Sequence, residues 1–155
     1  MQPIAARRIG SRATCITLAP MRLHLHTHRV PERLVTGAFI LHAGWGKWHG
    51  TEQQATALHG MAAGAFPPLS VIPPAKFLRL LAAGEIATGA ALLSPILPDR
   101  IAGLVLSGFS GGLLAMYWRT PTLRQSGSIW PTPAGTAVSK DVWMLGIGVG
   151  LLTRP

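Results

Sequence analysis

The chain has 155 residues, enough for one domain, with 48% hydrophobic and only 12% charged residues, about half the charge of an ordinary soluble protein. A positive mean hydropathy and 18 glycines beside only 5 acids fit helices packed in lipid better than a water-soluble core. The net charge of +9 would suit nucleic acid, but no folded basic face or recognisable module accompanies it, which argues against that partner.

Residues 1–30 read as a basic, disordered cytoplasmic tail. Arg7, Arg8, Arg12, Arg22, Arg29 and Arg33 precede the first apolar run, and no acid appears before Glu32. This is the positive-inside pattern, with weak attraction to anionic headgroups as its consequence. The apolar stretch ITLAPM is too short for a secretory signal. The composition faintly resembles a transit peptide, and Met21 would serve equally as a start. His24, His26 and His28 alternate, but no Cys or carboxylate lies nearby to complete a metal shell. Cys15 is the single cysteine, so no intrachain disulfide is available.

Residues 31–155 predict a domain of four transmembrane helices over about 33–49, 75–97, 100–118 and 138–153. The first ends on Trp45, Lys47 and Trp48, residue types suited to the membrane interface. Residues 49–74 read as a loop with a short helix in TEQQATALHGMAAG, broken by Pro67, Pro68, Pro73 and Pro74. The second apolar run, Lys76 to Leu97, matches the roughly 20 residues that cross a bilayer and carries one mid-span acid, Glu85. The third holds Gly103, Ser107 and Gly111, and also Gly108 and Gly112, spaced for close helix approach in lipid. A polar, Pro-rich loop then leads to the short final run.

Four spans put both termini on one side, with Arg100 and Arg154 beside the tail. Lys47, Lys76, Arg79, Arg119, Arg124 and Lys140 fall on the other. Eight cations against six place the termini in the cytoplasm.

The pattern resembles the DoxX-like family of small four-helix membrane proteins. Arg33-Leu34 with Gly37, Gly44-Trp45-Gly46-Lys47, Gly84-Glu85 with Gly89 and Leu92-Leu93, and Lys140-Asp141 before a glycine-rich helix carry the resemblance across residues 33–153. The basic tail, the His-containing segment and the extended last loop depart from it. It implies a protein of the bacterial cytoplasmic membrane. Some members of the family are subunits of quinone-linked sulfur oxidoreductases, and others accompany redox-defence assemblies.

A lone acid in a span is costly unless it meets a partner. His42 and Glu85 fall about 8 and 9 Å below the same interface at ~1.5 Å per residue. They are expected to meet as a proton-accepting pair beside a quinone or similar lipophilic molecule. The competing reading makes Glu85 structural, held by Lys47, Arg79, His42 or hydroxyls of Thr36, Thr88 and Ser107. The candidate buried polar site is therefore His42, Lys47, Arg79 and Glu85, with no catalytic set. A metal held by His49, His59 and Glu52 is conceivable, solvated interfacial histidines being commoner. No serine elbow or phosphate loop is present.

The expected protein is thus an all-α, integral-membrane antiparallel four-helix bundle. It would act as an accessory or quinone-linked redox subunit without catalysis of its own, joined to a protein partner or to its own copies. A small-solute carrier using the Glu85 region, or a scaffold recruiting soluble enzymes through the tail, are the alternatives.

Overall fold

The computed structural model describes residues 30–153, and these are all-α. The tail, Cys15, Met21, the alternating histidines and Arg154 lie outside the described residues. Helix α1 spans Val30–Trp48, α2 Glu52–Ala65, α3 Pro74–Leu93, α4 Asp99–Arg119 and α6 Asp141–Thr153. A four-residue helix, α5, occupies Thr136–Ser139, and short 3₁₀ turns cover Pro67–Val71 and Pro121–Leu123. Five substantial helices are present where four were expected.

The fifth is α2, where the sequence predicted a loop with a short helical stretch. The Thr51 hydroxyl accepts the Gln54 N–H at 3.3 Å and caps its start, and Pro67 and Pro68 follow its end. Two other boundaries move. Helix α3 stops at Leu93 rather than Leu97, because Pro95 cannot continue it. Helix α6 starts at Asp141, after a break at Lys140 that separates it from α5.

The helices form two close pairs, α1 with α3 and α4 with α6, joined more sparsely through α3 and α4. The buried residues of α1 are Arg33, Gly37, Ile40 and Gly44. Those of α3 include Leu78, Ala82, Glu85, Gly89 and Leu92. Alternating steps of three and four keep each set on one stripe of its helix. A Cβ at Gly44 would sit 2.8 Å from Glu85 Cβ, and one at Gly89 would sit 2.7 Å from Leu41 N. The backbones therefore lie too close for any side chain in between. In the second pair, a Cβ at Gly103 would meet the Gly148 carbonyl oxygen at 2.7 Å. Leu92, Ile40, Ala102, Leu106 and Leu151 form the apolar core between the pairs.

By length and composition, only α4 among the described helices is apolar enough to cross a membrane. The other three expected spans fall short for visible reasons. Helix α1 carries Glu32, Arg33 and Lys47, α3 carries Lys76, Arg79 and Glu85, and α6 has 13 residues.

Candidate functional site

Helix α1 contributes two cations to the bundle interior, one near each end. Near its start, Arg33 is 9% exposed and reaches the place where α3 ends and α4 begins. Its Nε donates to the Leu92 carbonyl at 2.8 Å. One terminal nitrogen donates to the Leu97 carbonyl at 3.0 Å and to Asp99 Oδ1 at 2.7 Å. The other donates to the carbonyls of Ala91 at 3.2 Å and Ser94 at 2.7 Å. A guanidinium has five N–H donors, and all five are used. The last carbonyls of a helix lack intrahelical partners; here Arg33 supplies them, and Asp99 neutralises it. Arg33 is not a free cation of the tail, as its position before the apolar run implied.

Toward the other end, Lys47 Nζ lies 2.9 Å from both carboxylate oxygens of Glu85. Glu85 is 7% exposed, and the glycine at Gly44 opposite it gives the carboxylate room to sit between the helices. The expected His42–Glu85 pair does not form. A helix turns about 100° per residue, so His42, two residues before Gly44, points to the opposite side of α1. It is exposed there beside Phe39 and Trp45. Lys47, three residues after Gly44, returns to the buried stripe.

Arg79 also stays outside the buried set. It is exposed, its guanidinium 6.0 Å from the centre of the Trp48 ring. Of the hydroxyls considered as partners, Thr88 donates to the Gly84 carbonyl at 2.8 Å. Ser107 Oγ is buried with no hydrogen-bond partner, packed against Gly148.

Asp141, at the start of α6, is the residue that sequence reasoning missed. It lies within electrostatic reach of both Glu85 and Lys47. Glu85 is therefore not the only acid near the Lys47 ammonium, since Asp141 of α6 also lies within its electrostatic reach. Lys140-Asp141 was legible as a helix start, but the depth of that start depends on how the preceding loop folds. That loop is pinned by the Tyr117 hydroxyl, which donates to the Ile129 carbonyl at 2.8 Å, and by a turn at Gly127 with φ 69°.

Among the described residues no three His, Cys, Asp or Glu side chains gather as a metal site. His59 Nε2 lies 3.1 Å from the Leu69 carbonyl, its ring edge-on to Phe77. His49 packs against Trp45. A cleft lined by Glu52, Ala55, Thr56, Pro73 and Pro74 opens between the starts of α2 and α3. None of His42, Lys47, Arg79 or Glu85 lines it.

Comparison with protein-family models, with curated proteins and with solved structures finds no match.

Proposed function

We propose that this chain is a multi-pass membrane protein of the DoxX-like type, with α1, α3, α4 and α6 as its spans. It serves as an accessory subunit without catalysis of its own. One observation carries the membrane part: polarity is inverted relative to a water-soluble fold. All five tryptophans are between 42% and 69% exposed, and Leu34, Val35, Phe39, Leu80, Leu104 and Val149 are exposed with them. The ionic side chains Arg33 and Glu85 are buried instead. In water this arrangement forfeits the main driving force of folding, whereas in lipid it satisfies both faces. The ionic residues that keep α1 and α3 from passing as spans on their own are neutralised inside the bundle, which is how such residues are tolerated at membrane depth.

The pairing supports a role without catalysis. Glu85 is held at both oxygens by Lys47 and serves as a tie between α1 and α3, the structural reading of that acid. The redox setting, with a quinone and a protein partner nearby, rests on the family resemblance. A carrier is the second reading, favoured by Asp141, whose carboxylate lies within electrostatic reach of the Lys47–Glu85 pair. Three experiments test these readings. Expressed protein is expected to stay in the membrane pellet through an alkaline carbonate wash; recovery in the supernatant without detergent refutes the membrane assignment. Native purification is then expected to retain a partner or quinone. Proton-coupled solute flux in liposomes that vanishes with Glu85→Gln would instead establish the carrier.

A further inference from the structure

We infer that the tryptophan-bearing end of the bundle is a binding surface for the headgroups of anionic phospholipids. This inference rests on the membrane reading above. Antiparallel packing brings the end of α1, the starts of α3 and α6, the end of α4 and the whole of α2 to one end of the molecule. All five tryptophans of the chain, Trp45, Trp48, Trp118, Trp130 and Trp143, lie in that half. Tryptophan concentrates at the headgroup level because its ring is apolar while its N–H is polar.

Three arginines at this end are arranged for an anion that the protein does not supply. The guanidinium of Arg79 lies 6.0 Å from the centre of the Trp48 ring, that of Arg119 lies 4.7 Å from Phe66, and that of Arg124 lies 4.6 Å from Trp118. Arg124 is also fixed by a hydrogen bond from its Nη2 to the Trp118 carbonyl at 2.9 Å. Among the described residues none of the three is paired with a carboxylate. Among the described residues the close ion pairs are Arg33–Asp99 and Lys47–Glu85, both used inside the bundle. Lys76 and Lys140 are exposed at the same end and add to the charge; the one exposed acid there is Glu52. A guanidinium resting on an aromatic face can present its edge N–H groups to phosphate and loses little freedom on binding; in Arg124 the Nε is buried and Nη2 is bonded to Trp118, so its contribution comes through Nη1. An acidic protein would satisfy the same charges. The interleaved tryptophans and the position beside the helix ends favour lipid, because a headgroup there is already at the level of the arginines.

The test uses the full chain and its own fluorescence. Protein is reconstituted into phosphatidylcholine vesicles, with and without phosphatidylglycerol, and quenching by brominated chains of each lipid is compared. Quenching by brominated phosphatidylglycerol is expected to exceed that by brominated phosphatidylcholine, with a preference of at least about five-fold. One interfacial cation is worth about 1 kcal/mol, which is that factor. The triple variant R79Q/R119Q/R124Q is expected to abolish the preference while still incorporating. Raising the salt concentration should weaken the preference in the unaltered chain, where folding of the variant is not an issue. Equal quenching by the two lipids overturns the headgroup assignment and leaves the membrane reading intact. A preference that survives both the triple variant and high salt also overturns it. Failure to incorporate into either vesicle refutes the membrane reading itself.

Discussion

The two helix pairs solve the same packing problem with different means. Both bring backbones together over glycine, Gly44 and Gly89 in α1/α3, Gly103 and Gly148 in α4/α6. Only the first pair adds charge. Arg33 locks α1 onto the α3–α4 turn near one end, and Lys47–Glu85 ties α1 to α3 toward the other. The second pair relies on close approach and on Leu106 and Leu151; of its buried hydroxyls, Ser110 is satisfied within its own helix by the Leu106 carbonyl at 2.7 Å, while Ser107 Oγ has no partner. In the membrane setting proposed above, apolar surface meets lipid on the outside, and burying more of it between helices would gain little. Close contact then supplies adhesion, while the ionic ties set which helix pairs with which and at what height.

The largest expected effect comes from removing the tie at the start of α1. Arg33→Ala removes the ion pair to Asp99 and takes the donor away from the terminal carbonyls of α3. A loss of about 3–5 kcal/mol is expected, read as a fall in Tm in mild detergent. Arg33→Lys should recover only part of it, since an ammonium has three donors where five are used. Next come Lys47→Gln and Glu85→Gln. Each single change is expected to cost about 1–3 kcal/mol by leaving one charge without its partner. The double variant should cost less than the sum, because two amides can still hydrogen-bond. A double-mutant cycle showing simple additivity would mean that the pair does not tie α1 to α3.

Comparable and symmetric effects are expected at the glycine contacts. Gly89→Ala and Gly103→Ala should each cost about 1–3 kcal/mol by pushing backbones apart. Equal losses would establish that close approach is common to both pairs and that charge is what distinguishes them. The smallest effect is reserved for Gly108→Ala and Gly112→Ala. A Cβ at either position meets nothing within 4 Å, so these changes should be neutral or stabilise α4 by up to about 1 kcal/mol. Thermal melts of all four variants in the same detergent decide the comparison.

The helices containing the pairs were legible in the sequence, and so was the need for a partner to Glu85. The identity of that partner was not read correctly. Depth along the helix was considered, and by depth His42 matches; direction around the helix was not, and by direction Lys47 does. The signal was present, since Arg33, Gly37, Ile40, Gly44 and Lys47 recur at steps of four, three, four and three. The spacing of Gly103, Ser107 and Gly111 marked one face of α4, yet only Gly103 and Ser107 meet α6. Spacing defines a stripe but not how far along it a partner runs. Arg33 and Asp141 were out of reach for another reason. Each acquires its role from a distant part of the chain, Arg33 from the α3–α4 turn and Asp141 from α3 across the bundle.

The clasp at Arg33 has a consequence for biogenesis. Every acceptor for its guanidinium is made 58 or more residues later in the chain. When α1 first leaves the ribosome it carries a fully charged arginine with nothing to hold it. On the membrane reading proposed above, helix α1 would be a poor span until α3 and the turn after it have been synthesised, and would become a good one only by docking on them. Insertion on that reading would be cooperative, with α1 waiting at the translocon or the membrane surface for the hairpin that neutralises it.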